Sequence, residues 1–145
     1  MPRFIGSLTM TQLEGEQTWR RWTLVHPLVY ERGEYESGRL ITCPEGFITD
    51  GPTIPRIFWA VLPVWGSWGK AGVVHDWLCF CIASGKPNPE AKTRTEADAI
   101  FYEVMTVLGV SFITRWLLYI GVRIGTIFNV RTTMGDYNVD LLGGA

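Results

Sequence analysis

The spacing of apolar and polar positions divides the chain into a strand-like first third and a helical remainder. Residues 19–50 are rich in β-branched and aromatic side chains, punctuated by Pro27, Gly33, Gly38, Pro44 and Gly46. Trp22-Thr23-Leu24-Val25 and Leu40-Ile41-Thr42 have the composition of short strands around an Arg32-to-Gly38 turn, which predicts a small hairpin or sheet. Thr49-Asp50-Gly51-Pro52-Thr53-Ile54-Pro55-Arg56 is loop by its glycine and two prolines, and Gly66-Ser67-Trp68-Gly69 is a second turn. Three helical segments follow. The first runs from about Ala71 to Ala83 and stops at Gly85 and Pro87-Asn88-Pro89. The second opens near Thr93 or Thr95, with Glu96 in its first turn, and reaches Leu108 before Gly109. The third covers about Phe112 to Phe128, and the tail, with Gly135 and Gly143-Gly144, is expected to be loose or docked on a partner. The expected fold is α+β and helix-dominated: a small N-terminal β-hairpin or sheet at about 19–50, then three helices at about 71–128. All of it falls in a single domain spanning 1–145.

Composition narrows the class. A chain of 145 residues can bury one sizeable core, and 47% hydrophobic with 19% charged residues is globular rather than disordered. Thirteen basic against fourteen acidic residues give a net charge of -1, and no basic stripe is present, so no nucleic-acid partner is expected. Of the three cysteines, Cys79 and Cys81 point to different sides of one helix and Cys43 is remote, which predicts free thiols and a reducing compartment. The N-terminus has no apolar run of signal-peptide type. Ser111 to Val130 is long and apolar, but it contains Arg115, Arg123 and Asn129, and a charge at mid-bilayer costs about 2.5–3.5 kcal/mol. It reads as a buried or membrane-grazing helix whose aromatic residues serve packing. The aromatic group Phe58, Trp59, Trp65 and Trp68 suits either a core or a lipid-facing rim.

Within the first helix every residue from Val73 to Ala83 is apolar or small except His75 and Asp76. A helix that is apolar all round belongs in a core, and an ionised carboxylate there needs a partner or a cation. In the second helix Ala97, Ile100, Phe101, Val104, Met105 and Leu108 share one face, and Glu96 and Glu103 lie well away from it. Asp98 falls about 80° from the centre of that face at 100° per residue, so it points toward the core. A connection of about ten residues folds two such helices antiparallel and can bring His75 to Asp98.

A histidine held by one carboxylate beside a second, cation-binding carboxylate can activate water. The first carboxylate fixes the tautomer and stabilises the imidazolium, and the cation polarises an ester carbonyl. The same residues would also serve as a satisfied polar network that specifies the core. His75-Asp76 followed by Asp98-Ala99-Ile100-Phe101-Tyr102 resembles the secreted phospholipase A2 pattern, particularly its compact bacterial and fungal branch. Asp50-Gly51-Pro52-Thr53-x-Pro55 is similar to the stretch that supplies part of the calcium site there. The resemblance implies His75 as general base, Asp98 as its orienter, Asp76 as a calcium ligand and Asp50 as a second ligand. Three departures stand out: Cys79 occupies the position of a tyrosine that supports Asp98, the cysteines of the phospholipases are absent, and Thr53 replaces a serine.

A second resemblance covers about residues 20 to 125. Trp22-x-Leu24, the run from Pro44 through Phe47, Thr49-Asp50-Gly51 and Thr53-Ile54-Pro55-Arg56, Val73-Val74-His75-Asp76-x-Leu78 and Ala97-Asp98-x-x-Phe101 look like an uncharacterised domain family. That family is common in tailed bacteriophages and prophages. It implies a phage protein made in the host cytoplasm and carried into the virion. Its partners would be other virion proteins, a second copy of the chain or a phospholipid surface. Two functions fit: a calcium-dependent phospholipid ester hydrolase, or a noncatalytic tail, neck or baseplate component on the same scaffold. A metal-dependent phosphohydrolase of the H…HD…D kind is disfavoured, because the other histidine, His26, lies in a strand-like stretch before Pro27.

Overall fold

The computed structural model describes residues 2–12, 22–34, 36–49 and 68–127. Among them, six short strands precede three helices: β1 (Arg3–Ile5), β2 (Met10–Gln12), β3 (Trp22–Leu24), β4 (Leu28–Arg32), β5 (Arg39–Cys43), β6 (Ile48–Thr49), α1 (Gly69–Ala83), α2 (Arg94–Val107) and α3 (Phe112–Ile127). The α+β order, with the helices last, is the one the periodicity predicts.

The strands form two antiparallel three-stranded sheets, ordered β1-β4-β5 and β2-β3-β6. The β4–β5 hairpin runs in register from Leu28 opposite Cys43 to Arg32 opposite Arg39. Its turn uses Gly33 and Gly38 at φ +77° and +75°, a region that only glycine enters without strain. The strand entering this turn is Leu28–Arg32; Trp22–Leu24 instead occupies the centre of the other sheet. Charged residues hide β4 in the sequence, because Glu31 is buried against Arg3 at 3.1 Å and Arg32 reaches Glu90 at 3.3 Å and Glu103 at 3.2 Å. Beneath that charge, Leu28 and Tyr30 face the core with Ile41 and Cys43.

At the centre lies α1. From Gly69 to Cys81 every residue is buried except Lys70 and Asp76, so the helix has no fully solvated face, as its composition requires. Val73, Val74 and Leu78 are wholly buried, and each such side chain contributes about 1.5–3 kcal/mol. Phe47 closes one side against Trp77 and Phe80, with ring centroids 5.2 and 6.0 Å apart. Cys43, Cys79 and Cys81 are buried and free.

Thr93 caps α2 by accepting the Glu96 N–H at 3.2 Å, while the Glu96 carboxylate reaches back to the Lys92 N–H at 3.1 Å. This end fixes where Asp98 sits, one turn into the helix. α2 ends at Gly109, φ +75°, with the Val110 N–H returning to the Met105 carbonyl at 3.1 Å.

Of the two readings for α3, buried or membrane-grazing, the buried one needs correction. Leu118 is its one buried residue, and Phe112, Ile113, Trp116, Ile120, Ile124 and Ile127 are exposed. It meets α2 through Tyr102, whose ring packs on Tyr119 at 5.3 Å and on the half-exposed Trp116 at 5.6 Å. It is thus an amphipathic helix with an apolar outer face rather than a buried one. No helix among the described residues is long and apolar enough to cross a membrane.

Candidate functional site

His75 enters the core from the middle of α1 and Asp98 from the first turns of α2, and the two meet as their spacing predicts. The Nε2–H of His75 donates to Asp98 Oδ1 at 2.7 Å. Asp98 is fully buried and His75 is 8% exposed, so the bond is shielded from water and correspondingly strong. The imidazole ring packs on Phe101, one turn further along α2, with centroids 5.1 Å apart.

The other oxygen of Asp98 belongs to α3. Arg123 Nη1 donates to Oδ2 at 3.1 Å and the Thr126 hydroxyl donates to the same atom at 2.5 Å. Arg123 Nη1 also reaches the Thr95 hydroxyl at 3.2 Å. A buried carboxylate with one neutral partner would be costly, whereas one flanked by a guanidinium and an imidazolium is compensated. Neither Arg123 nor Thr126 is evident as a site residue from sequence. The available signal is that α3 carries Arg115 and Arg123 without an acidic residue, so their counter-charges must come from elsewhere.

Cys79 lies one turn along α1 from His75, with Sγ 3.6 Å from Nε2 and 3.9 Å from Nδ1. Burial of His75 works against its charge, but Cys79, the hydrogen bond to Asp98 and the charge of Asp76 outweigh burial and push its pKa up from 6.5 to about 10. His75 is therefore an imidazolium at neutral pH, with both ring nitrogens protonated.

Asp76 is partly exposed, unlike its neighbours on α1. Its Oδ2 accepts the hydroxyl of Thr49, the last residue of β6, at 2.5 Å. The partner that this carboxylate requires thus includes a buried threonine from the second sheet. Asp50, the other carboxylate expected to hold calcium, lies outside the described residues, as does the Gly51–Arg56 loop. Among the described residues no group of three or more His, Cys, Asp and Glu side chains is arranged to hold a metal ion. Calcium takes six to eight oxygens, so Asp76 alone does not make a calcium site. His26 is exposed between β3 and β4.

The fold and site therefore define an α+β domain with a buried His–Asp–Arg network joining its three helices. The chain belongs to the family described as "Protein of unknown function (DUF1353)", whose model matches residues 22–122, a span that includes His75 and Asp98. It is similar to the "Uncharacterized protein y4jT" of Sinorhizobium fredii (strain NBRC 101917 / NGR234), at 37% identity over 71 residues. That match covers 46% of this chain and 18% of the relative, so the chain spans under a fifth of that protein's length. No solved structure matches the chain.

Proposed function

We propose that this is a phage-type protein whose His75–Asp98 pair works as a hydrolytic site on phospholipid esters, in the manner of the secreted phospholipases A2. One observation carries the reading: the 2.7 Å bond from His75 Nε2 to an Asp98 carboxylate that Arg123 and Thr126 hold in place. With Nε2 committed, Nδ1 is the nitrogen left to exchange a proton. In its neutral form it takes a proton from water as the hydroxide oxygen bonds to the ester carbonyl carbon. Collapse of the tetrahedral adduct breaks the bond to the alcohol, which leaves with that proton from Nδ1. Asp98 stabilises the transient imidazolium throughout. Because the resting His75 is protonated at neutral pH, turnover rises toward alkaline pH as the neutral form becomes populated. Calcium belongs to this reading through Asp76 and Asp50, where it would polarise the ester carbonyl.

The second reading is a noncatalytic virion component: a tail, neck or baseplate protein made in the host cytoplasm. It is favoured by the near-complete burial of His75 and by the three donors that occupy Asp98, as expected of a structural network. Fatty-acid release from mixed phospholipid micelles, measured with calcium and with a chelator, separates the two. The hydrolytic reading expects chelator-sensitive release. No release from any phospholipid class at any pH up to 10 transfers the site to the structural reading.

A further inference from the structure

The outer face of α3 is an exposed apolar stripe. Between Phe112 and Ile127 every exposed position is apolar: Phe112 at 62%, Ile113 at 72%, Trp116 at 41%, Ile120 at 47%, Ile124 at 50% and Ile127 at 68%. The polar residues of the helix, Thr114, Arg115, Arg123 and Thr126, are all less exposed than these. A surface helix ordinarily shows the reverse distribution. With aromatic side chains burying about 150–250 Å² when covered and isoleucine somewhat less, the six leave on the order of 600–700 Å² of apolar surface in water. That is at or above the roughly 300–600 Å² of the largest patch on a typical monomer.

The positions in this stripe have an internal symmetry that identifies the occupant. Five of the six are symmetric about Ile120, at four residues on either side (Trp116 and Ile124) and at seven on either side (Ile113 and Ile127), while the mirror position of Phe112, residue 128, lies outside the described residues. Two antiparallel copies of such a helix, related by a two-fold axis at Ile120, match residue for residue. Ile113 then faces the partner's Ile127, Trp116 faces the partner's Ile124, and Ile120 faces the partner's Ile120. An isologous interface requires this kind of self-complementarity, and an unrelated partner does not. The seven-residue spacing of Ile113, Ile120 and Ile127 is also that of a helix-pair seam. Two such faces together bury on the order of 1,200 Å², at the threshold of the roughly 1,200–2,000 Å² of a stable interface.

We infer that the chain forms a two-fold dimer through antiparallel pairing of the outer faces of α3. The inner face of the same helix holds Asp98 through Arg123 and Thr126, so the dimer seam backs the buried network.

Sedimentation equilibrium on the full chain tests this. Wild type is expected at twice the 16.4 kDa of one chain at micromolar concentration. Ile120→Glu, with two carboxylates meeting at the axis, is expected to raise the dimer Kd by about 100-fold or more. Leu40→Glu, at an equally exposed apolar site on β5, should leave it unchanged. Ile113→Glu with Ile127→Glu should be monomeric, whereas Ile113→Lys with Ile127→Glu should dimerise again, because antiparallel pairing sets each lysine opposite a glutamate. That rescue distinguishes loss of pairing from loss of fold, which circular dichroism checks independently. A monomeric wild type overturns the inference, whether the face is then found to be shielded from a thiol reagent at Ile120→Cys or to bind phospholipid vesicles. A dimer that survives Ile120→Glu, or a double variant Ile113→Lys/Ile127→Glu that stays monomeric, overturns it equally.

Discussion

The carboxylate of Asp98 accepts the Nε2–H of His75 at 2.7 Å inside the core, 23 residues apart in sequence and on separate helices. With Arg123 on its second oxygen, Asp98 is one anion between two cations. Asp98→Asn should therefore be strongly destabilising, because it takes the carboxylate from the Arg123 guanidinium and removes the partner that keeps the buried His75 charged. The expected loss is about 3–5 kcal/mol, measured by urea unfolding at neutral pH. A loss under about 1 kcal/mol would mean that the network is less buried than described.

The pH dependence follows from His75. Its folded pKa, about 10, lies above the unfolded value of 6.5, so the folded form holds the proton more tightly. This stabilisation is complete below pH 6.5 and is lost as pH rises toward 10. Stability of the metal-free chain should fall steadily with rising pH across this range. The slope is best read below about pH 8.5, where free thiols begin to titrate. Above it the buried Cys43 and Cys81, whose thiols burial pushes up, add their own loss. His75→Gln should flatten the slope; an equal slope in wild type and variant would locate the titration elsewhere.

Thr49 links the second sheet to α1. Its side chain is wholly buried and its hydroxyl donates to Asp76. Thr49→Val keeps the shape and removes the donor, which should cost about 1–3 kcal/mol in thermal or urea unfolding. Thr49→Ser should keep the bond and lose only a methyl group's packing. Equal stability of the valine variant and wild type would remove this contact from the account.

Much of this arrangement was legible in the sequence because burial and period act together. Two polar residues in an all-apolar helix, and an aspartate turned off-centre on an apolar face, have few ways to be satisfied, and His75 and Asp98 do meet. The helix limits were readable for the same reason: Thr93 and Gly109 act where capping chemistry places them. The strands were harder. β1 and β2 are three residues each, too short for alternation to register. β4 carries Glu31 and Arg32, whose burial depends on partners distant in sequence. Arg123 and Thr126 were hidden because they stand among apolar residues on every side of α3, and periodicity cannot say which of two apolar faces is covered. Asp50 and its loop lie outside the described residues, so the second expected calcium ligand stands as read from sequence alone.

The most direct measurement is the rate of fatty-acid release from mixed micelles with calcium, for wild type, His75→Ala and Asp98→Asn side by side. Each variant is first checked for folding, and Asp98→Glu is included to keep the charge where Asp98→Asn proves too unstable. General-base catalysis contributes about 10²–10⁴ in rate, so a working His75 predicts a wild-type rate that rises with pH and falls by that factor in His75→Ala. Asp98→Asn should be impaired too, because an amide cannot stabilise the imidazolium. Wild-type release that His75→Ala leaves unchanged would contradict the account.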